Sequence, residues 1–196
     1  PGLLQRWPEA AVIASGVDAA RIPLQTQPVQ GGDQLELLVR CVQVLAVPGH
    51  TAHHIAFYLP PAGEDGGHLF CGDTLFALGC GRLFEGTPVQ MWDSLSKLRA
   101  LPGDTRVYCA HEYTQSNARF ALTVEPGNAE LRQRAAEVDR LLAQGQMTCP
   151  STIGAELATN PFLRTGSSEI RRNLGMEHAT DAEVFAELRE RKNAFR

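Results

Sequence analysis

Leu69-Phe70-Cys71-Gly72-Asp73 is the stretch on which the reading of the fold turns. A short apolar run reads as a strand, Gly72 breaks it, and a carboxylate stands at the break. The same design occurs twice more. Val42 and Val44 alternate with polar residues up to Pro48-Gly49-His50, and Val107-Tyr108-Cys109-Ala110 runs to His111. Side chains at strand ends gather at one edge of a sheet, where the ligand sites of α/β folds lie.

Working outward, Ala11-Val12-Ile13-Ala14 reads as a buried strand, and Gly31-Gly32-Asp33 as a turn. Leu35, Leu37, Val42 and Val44 then keep strand period, predicting one strand that ends at Pro48-Gly49. Ile55–Leu59 is another strand, stopped by Pro60-Pro61, and a turn over 63–67 leads into Leu69. Thr87 with Gln90 has the form of a capping box, and Pro88 suits the first helical position. That helix carries an apolar stripe of Val89, Trp92, Leu95 and Leu98 and stops at Pro102-Gly103. A further helix is expected over 117–124. From Pro126-Gly127 onward the pattern predicts helices only. Asn128 caps one with Leu131, Ala135, Val138 and Leu142 inward; Thr180 and Glu183 box another whose Val184, Phe185 and Leu188 face the core. The expected architecture is an α/β layer domain over 1–125 followed by a small helical domain over 126–196.

Composition narrows the function. The 196 residues carry a formal charge of −4, with 43% hydrophobic and 20% charged residues, as in an ordinary globular chain. No apolar run approaches the roughly 20 residues of a membrane helix. Without Lys/Arg blocks, neither nucleic acid nor an anionic membrane is expected as the partner. Five scattered cysteines without a CxxC pair fit a reducing compartment, so the expected location is cytoplasmic. Pro1-Gly2-Leu3-Leu4-Gln5-Arg6-Trp7 has no leader pattern and no initiator Met, which predicts a processed chain or a fragment.

The strand-end residues His50, Asp73 and His111 combine two imidazoles with a carboxylate, a donor set that suits Zn²⁺ or Fe. Because a carboxylate can bridge two ions, Asp73 is the natural centre of a two-metal site. Taken singly, each also reads as a solvated loop histidine or a turn aspartate. His53, His68 and His178 are expected to face solvent or fill loops. Cys71, Cys80 and Cys109 are expected to pack as small residues near the site.

Five motifs narrow the choice. Pro48-Gly49-His50-Thr51, Phe70-Cys71-Gly72-Asp73-Thr74-Leu75-Phe76, Gly79-Cys80-Gly81-Arg82-Leu83-Phe84-Glu85-Gly86-Thr87, Cys109-Ala110-His111-Glu112-Tyr113-Thr114 and Asn160-Pro161-Phe162-Leu163-Arg164 follow one another in order. Together they resemble glyoxalase II, the hydroxyacylglutathione hydrolases of the metallo-β-lactamase superfamily. The resemblance implies an αββα sandwich, here partial, followed by a small C-terminal helical domain that binds glutathione. It implies two divalent metal ions, zinc foremost with Fe or Mn as alternatives. By position, His50 matches a ligand of the first metal, Asp73 the bridging aspartate and His111 a ligand of the second. His54 matches a histidine that hydrogen-bonds behind the ligands. Arg82 and Phe84 fall where the family contacts the glutathione thioester; Phe84 stands where tyrosine is frequent, so a hydroxyl contact is missing. Tyr113 matches another substrate contact, and Arg189 and Lys192 match the pair that grips the glycine carboxylate. Without the resemblance, Arg189 to Lys192 reads as a solvated helix rim.

The departure is as informative. The superfamily's THxHxDH motif, which supplies three His and one Asp ligand, does not occur in the sequence. The expectation is therefore an N-terminally truncated glyoxalase II with three of seven protein ligands. The implied activity is hydrolysis of S-D-lactoylglutathione to D-lactate and glutathione by hydroxide on a dinuclear metal centre, impaired in this chain, which acts as a monomer. Two other readings stay open: a mononuclear iron oxygenase acting on glutathione persulfide, and an inert fragment.

Overall fold

The strand-period segments pair into one six-stranded sheet. In chain order, helix α1 (Gly2–Arg6) and strand β1 (Ile13–Ser15) precede β2 (Gln27–Val29), which pairs with β1 in parallel. Then come β3 (Gln34–Leu37), β4 (Arg40–Ala46), β5 (Ile55–Leu59) and β6 (His68–Gly72). The short strands β7 (Leu75–Phe76) and β8 (Gly79–Cys80) form a hairpin, and β9 (Arg106–Cys109) and β10 (Ser151–Thr152) complete the set. The main sheet runs β10-β9-β6-β5-β4-β3, antiparallel except for the β6–β9 pair. The computed structural model describes residues 1–37, 39–63 and 65–195. Glu64, in the turn expected over 63–67, lies outside the described residues.

A parallel pair needs a crossover, and helix α2 (Pro88–Arg99) lies within the one that joins β6 to β9. Its capping box forms as read, Thr87 Oγ1 accepting from Gln90 N while the Gln90 side chain accepts from Thr87 N. Helices α3 (Thr114–Val124), α4 (Ala129–Ala143), α5 (Ile153–Thr159), α6 (Ser168–Leu174) and α7 (Asp181–Ala194) follow. One face of the sheet, with Val42, Val44, Ala56, Tyr58, Leu69, Cys71 and Val107, is buried. The main core joins Leu69, Leu95 and Val107 to Phe162, Phe185 and Leu188, so it runs continuously across residue 125. A smaller cluster of Leu78, Ala118, Ala121, Leu131 and Ala135 sits under α3 and α4. On the opposite sheet face, Phe70 stacks on Tyr108 with ring centroids 4.8 Å apart.

Several expectations are corrected. The single strand read through Leu35 to Val44 is a hairpin, with Leu37 paired to Arg40 and Val39 in the left-handed region at φ 60°. Alternation survives on both arms, so periodicity alone does not reveal the reversal. Strand β1 begins at Ile13, and α3 starts at Thr114 rather than 117. On α2, Val89 is 58% exposed, and Met91 and Ser94 join Leu95 and Leu98 inside. The helix is rolled because Ser94 Oγ donates to the Pro48 carbonyl at 2.7 Å, which ties α2 to the turn that carries His50. The segment beyond Pro126 is not purely helical, since β10 extends the sheet beside β9. His68 is half-buried instead of solvated, because its Nε2 lies 3.0 Å from both Asp65 oxygens and its ring stacks on Tyr108.

Candidate active site

Three strand ends meet at a cleft of about 490 Å³. The β6–β9 register sets Gly72 beside Cys109, so Asp73 and His111 leave adjacent strands at the same edge. His50 arrives on the turn after β4. His111 Nε2 lies 3.1 Å from Asp73 Oδ1, and His50 Nε2 lies 4.0 Å from Asp73 Oδ2. One carboxylate thus stands between two imidazoles, with one oxygen turned to each.

Backbone constraints hold this wall. Gly72 has φ +53°, and a Cβ there would lie 2.6 Å from His54 Nε2. Gly81 passes so close to the Asp73 carbonyl that a Cβ would overlap it at 1.9 Å. His50 Nδ1 lies 2.9 Å from the Arg82 carbonyl, so it carries the proton and leaves the Nε2 lone pair facing Asp73. His54 sits behind the wall, where its Nε2 accepts from the Asp73 amide at 3.2 Å. Burial, opposed by a hydrogen bond with the Cys71 backbone, lowers the His54 pKa below that of a free imidazole, which keeps that acceptor available.

As a donor set, imidazole, carboxylate and imidazole fit a pair of divalent ions in kind, with Asp73 shared between them. In number they supply two protein donors to each ion. Accordingly, among the described residues no group of three or more His, Cys, Asp or Glu side chains is placed to hold a metal ion.

The facing wall is cationic and aromatic. Arg82, Arg189 and Lys192 line the cleft with Phe84, Tyr113 and Phe195. Phe84 is 70% exposed and tilts over the His50 ring at 4.9 Å, while Tyr113 stacks on His111 at 5.2 Å. Arg189 is no solvated rim residue: it is 5% exposed, its Nη1 donates to the Cys80 carbonyl at 2.9 Å, and its guanidinium lies over Phe162. Lys192 Nζ donates to the carbonyl and hydroxyl of Ser116, both at 3.0 Å. Burial, with the charges of Arg189 and Arg82 adding to it, pushes the Lys192 ammonium down to about 8. His53 and His178 are exposed, away from these contacts.

Sequence reading missed the residues that brace the cleft from behind. The fully buried Glu156 accepts from the Leu78 amide, Arg134 and Ser151, while Asn160 donates to the Phe76 and Gly79 carbonyls and Asn117 to Ala77. Together they pin the β7–β8 turn, where Leu78 has φ 59°. Beside His111, burial works to raise the Glu112 carboxyl, and hydrogen bonds from Thr114 and Thr148 bring it below its usual range. Cys109 does not simply pack: its Sγ lies 3.2 Å from Cys149 Sγ. That sulfur hydrogen bond moves the Cys149 thiol down to about 7 and Cys109 upward. Asn160 opens one of the motifs quoted above, and Glu156 four residues before it is the one local signal for the brace; the thiol contact has none.

This fold and edge-of-sheet site define a class. The metallo-beta-lactamase superfamily profile matches residues 6–111, and that of the hydroxyacylglutathione hydrolase C-terminus matches 112–195. Hydroxyacylglutathione hydrolase from Methylococcus capsulatus is 54% identical over 185 residues, 94% of this chain and 71% of that protein. The Brucella anthropi protein of the same name is also 54% identical, over 94% of this chain and 70% of its own length. Among solved structures, ETHE1 from Myxococcus xanthus shares the fold, with a TM-score of 0.57 and 24% identity over 100% of this chain and 71% of that one. TTHA1623 in a di-iron-bound form is similar at a TM-score of 0.52 and 26% identity, over 83% and 69%. The chain belongs to the hydroxyacylglutathione hydrolase family.

Proposed function

We propose that the chain is built for hydrolysis of the S-D-lactoylglutathione thioester to D-lactate and glutathione. The observation that carries this reading is the single cleft with a shared carboxylate between two imidazoles on one wall and three cations on the other. His50, Asp73 and His111 would hold two divalent ions, zinc foremost with iron or manganese as alternatives; the di-iron form of TTHA1623 supports a pair. Such ions supply, when bound, Lewis acidity toward water and toward the thioester carbonyl. His54 keeps the Asp73 backbone in place. Lys192 and Arg189 bind the glycine carboxylate of glutathione through charge-assisted hydrogen bonds. Arg82, Phe84 and Tyr113 flank the thioester and orient its carbonyl toward Asp73. Relatives named for this hydrolysis support the assignment.

The same reading makes the chain a cytoplasmic monomer that acts on a small molecule; among the described residues no helix is long and apolar enough to cross a membrane. With two protein donors per ion, the 196 residues alone are expected to bind zinc weakly and turn over slowly. The test is calorimetric titration of zinc and of S-D-lactoylglutathione, with hydrolysis followed by loss of the thioester absorbance. Saturable thioester binding and slow, chelator-sensitive hydrolysis are expected. Absence of thioester binding, or hydrolysis indifferent to chelator and to Asp73→Ala, overturns the reading. Metal analysis separates the alternatives, since a single equivalent of iron favours the oxygenase.

A further inference from the structure

The β9–β10 pairing, Val107 with Ser151, returns the chain ahead of β10 to the end of β9, where Cys149 meets Cys109. The side chains have used that closeness: the two sulfurs are 3.2 Å apart, both half-buried and both free thiols. Cys41 is exposed and Cys71 and Cys80 are buried, and among the described residues none of these three has a sulfur within hydrogen-bond reach.

The pair touches the strand end that carries His111 in two ways. Cys109 Sγ donates to the His111 carbonyl at 3.4 Å. Thr148, which precedes Cys149, donates through its hydroxyl to both Glu112 oxygens at 2.6 and 2.8 Å, and Glu112 follows His111. Shortening the sulfur separation from 3.2 Å to the roughly 2.05 Å of a disulfide removes the thiol donor from the His111 carbonyl and draws Thr148 and Glu112 with it.

We propose that Cys109 and Cys149 form a reversible dithiol–disulfide couple, in exchange with glutathione disulfide, that shifts His111 relative to Asp73. The couple stands on geometry alone; its consequence for catalysis rests on the reading of His111 as a ligand. In the first step the Cys149 thiolate attacks one sulfur of glutathione disulfide. The S–S bond breaks, glutathione leaves as its thiolate, and a mixed disulfide forms on Cys149. The Cys109 thiolate then attacks Cys149 Sγ and expels the second glutathione. The protein loses two electrons and two protons, and glutathione disulfide is reduced to two glutathiones. The reverse reaction consumes glutathione, the thiol product of the proposed hydrolysis, so reducing conditions hold the pair open.

The test titrates the metal-free chain with mixtures of reduced and oxidised glutathione. Accessible thiols are counted after denaturation, and cross-linked peptides are mapped by mass spectrometry. Oxidation is expected to reduce the count from five to three, to give one Cys109–Cys149 link, and to reverse with glutathione. Cys41→Ser should still lose two thiols; Cys149→Ser and, in case serine disturbs folding, Cys149→Val should form no internal link. Five thiols persisting in excess glutathione disulfide, or a link between other cysteines, overturns the couple. The imidazole resonance of His111, assigned by its loss in His111→Gln, is expected to move on oxidation in the unsubstituted chain and to stay fixed in Cys149→Ser. A resonance indifferent to the disulfide overturns the coupling. Both readouts use neither metal nor thioester, so they succeed or fail separately from the hydrolase reading.

Discussion

The two walls of the cleft are built by different means. On the donor wall, positions are set by strand ends, tight glycines and contacts over moderate chain separations, His50 with Arg82 and His54 with Asp73. On the cationic wall, positions are set over long chain separations: Arg189 reaches back to Cys80, and Lys192 to Ser116. The difference teaches where damage will spread. On the proposed function, a change on the donor wall is expected to alter metal affinity and leave the core intact, whereas a change on the cationic wall is expected to alter both substrate affinity and folding.

The largest effect expected is that of Asp73→Ala. It removes the carboxylate that stands between both imidazoles, so zinc affinity should fall by more than the roughly hundredfold that loss of a residue behind a ligand costs. Melting temperature without metal should stay near that of the unsubstituted chain; a large drop would dissolve the distinction between the walls. Next, His54→Ala should weaken zinc binding by roughly 10–100-fold, measured by competition with a chelating dye.

On the other wall, Arg189→Ala is expected to raise KM for the glutathione thioester by the equivalent of about 1.5–3 kcal/mol, with little change for a short thioester that lacks the glycine. It should also lower the unfolding midpoint in denaturant, because the buried Cys80 carbonyl loses its donor. Equal damage to both substrates would reduce Arg189 to a packing residue. Lys192, its ammonium held near 8 by burial, loses its charge as pH rises through that value. Binding should weaken by about tenfold as pH rises through that value and the ammonium is lost, and Lys192→Met should flatten the profile.

The smallest effect concerns His54 again. Its pKa is lowered by burial, so below the unfolded value of 6.5 the unfolded chain takes up a proton that the folded chain resists. Stability therefore falls as pH drops below about 6.5, and His54→Gln should remove that slope from the denaturation curves.

What could be read in the sequence divides along the same line. The strand-break residues His50, Asp73 and His111, and the caps at Thr87, Asn128 and Thr180, each depend on a few neighbouring residues, and local pattern reveals them. The roll of α2 depends on Ser94 meeting Pro48, which no helical period encodes. Strand β10 is two residues long and exists only because β9 offers it a partner. The burial of Arg189 in a charge-rich helix needs Phe162 beneath it and Cys80 beside it. Tertiary contact, not propensity, decides these features.

The fastening of His50 has a kinetic consequence. Its turn is tied to the loop from Gly81 to Gly86, through Phe84 N to the His50 carbonyl and Gly86 N to the Gly49 carbonyl. Asp73 and His111 leave two central strands, with Ala110 N bonded to the Gly72 carbonyl. Opening of the surface loop therefore frees His50 without separating Asp73 from His111. Hydrogen exchange at the Phe84 and Gly86 amides should outpace that at Ala110. A metal pair bound here would then be released in sequence, the ion on the His50 side leaving first and the one beside His111 persisting until the sheet itself gives way.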